Sequence, residues 1–256
     1  MAGVAVGSVV LGEGTPKVLV PLTGASLAEV AAQASAAAEG GADIIEWRVD
    51  LFGDHAPAAV VVALRAIADA AGAVPLLVTF RTAAEGGSAI TPDAYEALYG
   101  AVIDSGLAGA VDVELAFDEA SGDAVIDAAQ DAGLAVIGSF HDFAATPTAS
   151  ELVSRCEAMW RRGCDVAKVA VMPTSPDDVL TLLAASRALA VLRPGRPVLA
   201  ISMGPLGVVT RLAGGVFGSC ATFAMVGKAS APGQVPIDEL RPVLRLIDAG
   251  LAPRGP

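Results

Sequence analysis

Eight strand-like apolar runs alternate with helix-length segments along this 256-residue chain, and this alternation limits the folds that it can adopt. A β/α alternation of this length is typical of a parallel sheet covered by helices. Eight units in about 250 residues favour a closed barrel over an open doubly wound sheet. Residues 21–26 (PLTGAS), which follow the first strand, also lack the glycine spacing of a dinucleotide-binding turn. We therefore expect an α/β fold, a (β/α)8 TIM barrel, as a single catalytic domain over residues 1–256.

The predicted strands are short and separated by Ala- and Leu-rich segments that commonly end at glycine. Ahead of the first strand, two apolar pieces around a Gly-Glu-Gly turn predict a small hairpin within residues 1–14. The eight strands are expected at residues 17–22, 43–50, 75–81, 110–115, 134–141, 166–171, 197–202 and 216–218.

Charged residues in these strands follow one side-chain parity and cluster toward the carboxyl ends. Successive side chains on a strand point to opposite faces, and in most strands the opposite parity is unbroken apolar sequence. In a closed barrel the polar parity points inward, so these side chains are predicted to converge on one cavity: Glu46, Arg48, Arg81, Glu114, His141 and Lys168. Paired charges that merely pack the interior are the alternative interpretation. That alternative does not explain why the charges occupy one end of the strands, and it leaves His141 without a task.

Lys168 lies in the middle of an apolar run, Val166 to Val171, where an ammonium is costly to desolvate. It needs either a partner carboxylate or chemistry that uses the neutral amine. In an apolar pocket near arginines we expect the ammonium form to be disfavoured, which favours attack on a ketone. His141 is the candidate general acid and base, because its ordinary pKa lies near neutrality. Glu85, in the loop after the third strand, could orient the imidazole, although it could equally be a solvated loop residue.

Two further segments suggest binding of a small acid. Arg211, near the short seventh helix, has the bidentate geometry that suits a carboxylate, although a helix-surface position is an equal alternative. The loop over residues 227–235 combines small residues with Pro and Gly, as a lid would, and Ser230 and Gln234 could donate hydrogen bonds from it. We interpret His55 as a surface residue. The Gly-rich run over residues 214–220 is weak evidence for a phosphate loop.

Charge and cysteine content narrow the class of function. The net charge of −12 argues against nucleic acid or an anionic membrane surface as a partner. No uncharged apolar run of about 18 residues indicates a membrane span. Three cysteines without CxxC spacing fit neither a disulfide framework nor a zinc site. We therefore expect a cytoplasmic protein with reduced thiols, a small-molecule substrate and no metal.

Seven segments, taken in order, match a known family. They span nearly the whole chain: residues 46–50 (EWRVD), 79–87 (TFRTAAEGG), 139–143 (SFHDF), 167–170 (AKVA), 202–204 (SMG), 217–219 (FGS) and 230–234 (SAPGQ). With these segments the chain resembles type I 3-dehydroquinate dehydratases, Schiff-base-forming lyases of the shikimate pathway of aromatic amino acid biosynthesis. Each segment alone is weak evidence, whereas the ordered set is specific.

The resemblance implies a reaction and its participants. Lys168 would form an imine with the C3 ketone of 3-dehydroquinate. His141 would remove a C2 proton and then protonate the departing C1 hydroxyl, and Glu85 would orient His141. The products would be 3-dehydroshikimate and water, without a metal or an organic cofactor, and the enzyme would be a homodimer.

The resemblance also implies the substrate contacts. Arg211, Ser230 and Gln234 would hold the substrate carboxylate. The ring hydroxyls and the imine region would meet Glu46, Arg48 and Arg81, and the pocket would be lined by Met203 and Phe223. Two positions depart from the family pattern: Pro21 stands where a small hydroxyl residue is common, and Phe140 where a polar residue is common.

Two other functions stay open on the residues alone. A class I aldolase or transaldolase barrel would also use a strand lysine, usually with a phosphate site near the last two strands. A non-catalytic metabolite-binding barrel would need neither the nucleophile nor the base, so Lys168, His141 and Glu85 together argue against it.

Overall fold

The computed structural model describes residues 3–227 and 231–251, and these ranges contain eleven strands and eight α-helices. The strands are Val4–Val6 (β1), Val9–Leu11 (β2), Lys17–Leu22 (β3), Ile44–Arg48 (β4), Leu76–Thr79 (β5), Ala110–Glu114 (β6), Ala135–Asp142 (β7), Val166–Val171 (β8), Val198–Ser202 (β9), Ala221–Met225 (β10) and Val235–Pro236 (β11). The α-helices are Leu27–Glu39 (α1), Pro57–Ala71 (α2), Pro92–Asp104 (α3), Glu119–Asp131 (α4), Ala149–Arg161 (α5), Pro176–Leu192 (α6), Val208–Ala213 (α7) and Ile237–Leu251 (α8).

Strands β3 to β10 form a curled parallel sheet in which each strand pairs with the next along the chain, except at the seam between β9 and β10. Strand β10 pairs with β3, and the backbone N–H of Lys17 donates to the carbonyl of Cys220 at 3.0 Å. The seam is bridged where the N–H of Cys220 donates to the carbonyl of Val198 at 2.7 Å. The predicted (β/α)8 barrel is therefore confirmed.

The two side-chain parities build two apolar layers. Outward residues such as Ile45, Trp47 and Val78 are buried against the helices. Inward residues near the amino ends of the strands, such as Leu19 and Leu77, form a second cluster inside the barrel. The barrel interior is thus apolar at its amino end, which confines the inward polar side chains to the carboxyl end.

The predicted N-terminal hairpin is present and covers the amino end of the barrel. Strands β1 and β2 pair antiparallel, with Val4 opposite Leu11. Val6 and Leu11 are fully buried and pack in the same cluster as the inward residues of the barrel strands. The hairpin therefore serves as an apolar floor beneath the barrel interior.

Side-chain capping fixes where several helices begin. In α1, α5 and α6 the side chain of the residue before the helix accepts from the backbone N–H three positions on. The acidic side chain at that third position accepts in turn from the backbone N–H of the capping residue. Such caps fix where the strand-to-helix loops end and the helices begin. No helix in the described ranges is both long and apolar enough to cross a membrane.

The eighth barrel strand lies a few residues later than predicted, so the assignment to Val216–Gly218 was wrong. Gly214–Phe217 is a 3-10 helix, and Gly218 ends it with a φ of 98°, a left-handed conformation that favours glycine. The true strand, β10, begins at Ala221. The short strand β11, which pairs with β10 in parallel, was not predicted.

Candidate active site

A cavity of about 220 Å³ opens at the carboxyl end of the barrel. Strand ends, the loops after them and α7 supply its walls, so distant parts of the sequence meet there. The lining residues are Glu46, Arg48, Leu51, Arg81, Glu85, Gly86, His141, Phe143, Lys168, Ala170, Ile201, Met203, Arg211, Phe223, Ala231 and Gln234. The predicted convergence of inward charged residues holds for five of the six, because Glu114 is buried beneath the cavity instead of lining it.

Lys168 is 4% exposed and points from the middle of β8 into this cavity. Its Nζ donates to Asp112 Oδ2 at 2.9 Å and to Glu46 Oε1 at 3.3 Å, and it lies 4.9 Å from the centre of the Phe223 ring. The expected environment of arginines and apolar groups was therefore incomplete. Two carboxylates, Asp112 and Glu46, lie within ion-pair distance of Nζ.

Arg81, two residues after the end of β5, binds several of the buried carboxylates. Its Nη1 donates to Glu114 at 2.8 Å and to Ser139 Oγ at 2.9 Å, and its Nη2 donates to Asp112 at 2.8 Å. Burial alone would lower the pKa of Arg81, but Asp112 and Glu114 outweigh burial and raise it. Arg81 is thus a fixed cation.

Asp112 is a part of the site that the sequence interpretation missed. It lies on β6, is 0% exposed, and touches both Lys168 and Arg81. Its shared parity with Glu114 was visible in the sequence. What the sequence could not supply was the register: Asp112 lies beside Thr79 in the β5–β6 pairing, and Ser139 lies beside Lys168 in the β7–β8 pairing.

Glu85, which is buried, pairs with His141, which is partly exposed to the cavity. Their contact joins Nδ1 of the imidazole to Oε2 of the carboxyl group at 2.8 Å. Burial raises the pKa of Glu85 to about 8, although Arg81 opposes this shift. Burial, followed by the charges of Arg81 and Lys168, lowers the pKa of His141. The imidazole is therefore neutral at rest. When Glu85 is ionised, its carboxylate accepts a hydrogen bond from Nδ1–H of His141, and Nε2 is left free to act as a base.

Arg48 lines the cavity and is held from behind. Its Nε and Nη2 donate to the two carboxylate oxygens of Asp50, each at 2.7 Å. The same Asp50 accepts the backbone N–H of Arg81 at 3.2 Å. This bidentate contact fixes the guanidinium plane of Arg48 at the edge of the cavity.

Arg211 is 2% exposed and differs from the other buried cations, because no ion pair joins it to a carboxylate of the described residues. Its Nη2 donates to the carbonyl of Pro232 at 3.0 Å, while Nε is buried without a hydrogen-bond partner. Burial lowers the pKa of Arg211 to about 10, so it stays charged at neutral pH. The cavity thus has one wall that can receive an anion.

The remaining predicted contacts complete the cavity. Met203 and Phe223 are buried and line the cavity with apolar surface. Gln234, which the loop after β10 supplies, also lines the cavity. Ser230 and the neighbouring Lys228 lie outside the described residues, so the predicted contact from Ser230 stays a prediction.

Three residues that the sequence analysis singled out lie outside the cavity. Phe140 faces the helices, as parity predicts, with the guanidinium of Arg155 above its ring at 4.0 Å. His55 stays partly exposed, as the surface interpretation expects, and its ring packs T-shaped against Phe80. Pro21 is buried beside Glu46 in the β3–β4 pairing and does not line the cavity.

The described part of the chain contains no group of three or more His, Cys, Asp or Glu side chains arranged to hold a metal ion. The chemistry that the arrangement can perform is that of an amine nucleophile, an imidazole acid and base, and a guanidinium that receives an anion.

Comparisons with known proteins identify relatives over almost the full length. The family model described as Type I 3-dehydroquinase matches residues 18–250. A 3-dehydroquinate dehydratase from Salmonella agona is 44% identical over 255 residues, with 96% of this chain and 99% of the relative covered. A type I 3-dehydroquinate dehydratase from Clostridium difficile, solved with covalently modified comenic acid, is 37% identical with a TM-score of 0.94, covering 98% of this chain and 100% of that one. The corresponding enzyme from Geobacillus kaustophilus is 34% identical with a TM-score of 0.93, covering 98% of each chain.

Proposed function

Because the chain belongs to the type I 3-dehydroquinase family, we propose that it dehydrates 3-dehydroquinate to 3-dehydroshikimate through an imine on Lys168. The observation that carries the proposal is a buried lysine that opens onto the same cavity as the His141–Glu85 pair. An amine attacks a ketone to form an imine, and a protonated imine withdraws electrons from the adjacent carbon. The covalently modified acid in the Clostridium difficile relative agrees with a covalent route.

Arg211 is the proposed binding site for the substrate carboxylate. Its guanidinium is buried and lacks a carboxylate partner among the residues that the structure describes. A charged group buried in this way gains most from an anion that supplies the missing hydrogen bonds. Gln234 and Ser230 would complete this end of the site. The ring hydroxyls would then face Glu46, Arg48 and Arg81.

Imine formation begins with the Lys168 ammonium. It passes one proton to Nε2 of His141, which is neutral because its pKa lies below the ordinary value. The free amine attacks C3, and the carbonyl oxygen becomes a carbinolamine hydroxyl. The imidazolium protonates that hydroxyl, which leaves as water, and the nitrogen becomes a protonated imine. His141 is then neutral again and ready to act as a base.

Elimination uses the same imidazole twice. Nε2 of His141 removes a proton from C2, and the C–H electron pair flows toward the imine nitrogen to give an enamine. The imidazolium then protonates the C1 hydroxyl, and the enamine electrons expel it as water, leaving a conjugated imine. Hydrolysis of that imine consumes one water, so the net change is the loss of one water from the substrate. These steps need Glu85 in its ionised form, which accepts from Nδ1–H and keeps Nε2 as the reacting nitrogen. Because burial raises the pKa of Glu85 to about 8, the fraction of enzyme in this form increases as the pH rises toward 8.

Replacement of the nucleophile tests this proposal. Lys168→Ala should lower kcat at least about 10³-fold, because a nucleophile that is lost cannot be replaced by binding energy alone. Lys17→Ala, a change at the amino end of the barrel, is the matched control and should retain wild-type turnover. Formation of the conjugated product can be followed by its ultraviolet absorbance. Retained activity in Lys168→Ala would rule out the imine route.

His141→Ala separates formation of the covalent adduct from the proton transfers that follow it. This variant should turn over slowly and still form some covalent adduct, because the nucleophile is intact. A class I aldolase would instead form its adduct without dehydrating 3-dehydroquinate. Arg211, buried without a carboxylate partner among the described residues, gives that alternative less support.

From the same resemblance we propose that the protein is a homodimer and lies in the cytoplasm. Light scattering on the purified chain tests the oligomeric state, and a monomeric mass would contradict it. Fractionation of the source cells tests the location.

A further inference from the structure

We propose that Asp112 is a further catalytic residue, whose carboxylate is the fixed counter-charge that keeps the Lys168 imine protonated while the C2 proton is removed. This inference rests on the proposed imine chemistry. It concerns a residue on β6 that does not line the cavity and that the sequence interpretation left without a role.

Asp112 is held in place by three contacts. Its Oδ2 accepts from Lys168 Nζ at 2.9 Å, while its Oδ1 accepts from Arg81 Nη2 at 2.8 Å and from Ser139 Oγ at 2.6 Å. The side chain is 0% exposed. A carboxylate that is fixed before the reaction need not reorganise when charge develops beside it, and this is the condition for strong electrostatic catalysis.

Asp112 also stays ionised. Burial alone would raise the pKa of its carboxyl group, but the charges of Arg81 and Lys168 outweigh burial and lower it. Within the described part of the chain, Asp112 is the carboxylate that pairs with both of these cations. A permanent negative charge therefore faces the reacting nitrogen.

When the ammonium becomes an imine, the two carboxylates near Lys168 can no longer both keep their hydrogen bond to its nitrogen. The ammonium has three N–H groups and donates to both Asp112 and Glu46. The protonated imine keeps a single N–H, because two of the nitrogen's other bonds go to C3 and the third to the lysine chain. That N–H can serve one carboxylate well. Asp112 is nearer, at 2.9 Å against 3.3 Å, whereas Glu46 lines the cavity and is exposed to the substrate.

The retained contact has a chemical consequence. A neutral imine is a weak electron sink, so C2 loses its proton readily only while the nitrogen is positively charged. An adjacent carboxylate keeps that nitrogen protonated, and it stabilises the positive charge in the two steps where the charge develops, the loss of water from the carbinolamine and the expulsion of the C1 hydroxyl from the enamine. Its effect is larger in a site from which water is excluded. The geometry thus assigns to Asp112 the stabilisation of the intermediate, leaving Glu46 free for contact with the substrate.

Glu114 supplies a matched control. It lies two residues along the same strand, is also 0% exposed, and accepts from Arg81 Nη1 at 2.8 Å. It has no ion pair with Lys168. Glu114→Gln and Asp112→Asn therefore remove the same charge from similar surroundings, and they differ in the contact with the reacting nitrogen.

The experiment measures kcat, KM and thermal stability in both variants, together with the mass of the adduct that borohydride traps with 3-dehydroquinate. Asp112→Asn should lower kcat about 10²-fold, the typical loss on removing one fixed electrostatic contact to a transition state. Its KM should change little, because Asp112 does not line the cavity. Glu114→Gln should lose at least about tenfold less in kcat, with a comparable loss of stability.

The outcomes separate this proposal from the one on which it rests. Wild-type kcat in Asp112→Asn, or an equal loss of kcat in Glu114→Gln, would overturn the role of Asp112 alone. Absence of a trapped adduct in the wild-type protein would overturn the imine itself.

Ser139→Ala is a second variant, which keeps the charge of Asp112 and removes one hydrogen bond to its carboxylate. It should lower kcat several-fold at constant KM, and an unchanged kcat would contradict the need for a fixed carboxylate.

Discussion

Three of the four cations around the cavity have carboxylate partners in the described residues, and Arg211 does not. Burying an unpaired guanidinium is costly, so a site that keeps one gains when an anion arrives. The sequence could point to Arg211 through its neighbouring motif. It could not show that the side chain is buried, because the packing of α7 against the loop after β10 depends on contacts between distant parts of the chain.

Arg211→Ala should raise KM about 10- to 100-fold, the loss expected when hydrogen bonds to a charged group worth about 1.5–3 kcal/mol disappear. The fall in kcat should be smaller, since the carboxylate lies away from the reacting carbon. Steady-state kinetics on this variant and on Arg65→Ala, an exposed arginine of α2, provide the test. A wild-type KM in Arg211→Ala would contradict the assignment.

Glu85 makes stability depend on pH in a defined direction. Its pKa in the folded protein is about 8 because it is buried, against an ordinary value of 4.5. Between these values the folded protein binds a proton that the unfolded chain does not, so raising the pH weakens the folded state. Glu85→Gln, which cannot ionise, escapes this loss. Its free energy of unfolding relative to wild type should therefore increase from pH 5 to pH 8.

Urea denaturation at the two pH values measures that difference. A difference that stays constant or shrinks as the pH rises would mean that Glu85 is not held protonated by its burial.

At the scale of elements, the N-terminal hairpin and the cavity occupy opposite ends of the barrel. Leu11 is 0% exposed and fills the floor, whereas Leu180 on α6 is 62% exposed. Leu11→Ala should lower the free energy of unfolding by about 2–5 kcal/mol, because the core cannot fully close over the lost volume. Leu180→Ala should change it by no more than about 0.5 kcal/mol. Both should keep wild-type kcat, and equal stability in the two variants would contradict the role of the floor.

Strands and parity were predictable where an apolar run is bounded by turn residues, as around Lys168. The last barrel strand was not, because the glycines before it resemble a strand boundary and Val216-Phe217 resembles a strand. In the structure, the left-handed backbone conformation of Gly218 ends the 3-10 helix before the strand. Glycine permits this conformation but does not require it, so the sequence alone could not predict where the strand begins.

In the molecule as a whole, the sequence predicted five charged side chains that converge on the cavity, because a closed barrel brings the carboxyl ends of its strands together. It did not predict the balance of charge inside. The pairing of Lys168 with Asp112 and Glu46 depends on strand register and on distances of about 3 Å, which parity does not specify. Placement of the single-domain boundaries at residues 1 and 256 stays a prediction.

The proposed function depends on a covalent bond between Lys168 and the substrate. Borohydride reduction in the presence of 3-dehydroquinate, followed by intact mass and peptide mapping, detects that bond. The chain has three lysines, Lys17, Lys168 and Lys228, so the mapping is unambiguous. We expect one stable adduct, on the peptide that contains Lys168, and no adduct in Lys168→Ala. An adduct on Lys17 or Lys228, or rapid turnover without any trapped species, would contradict it.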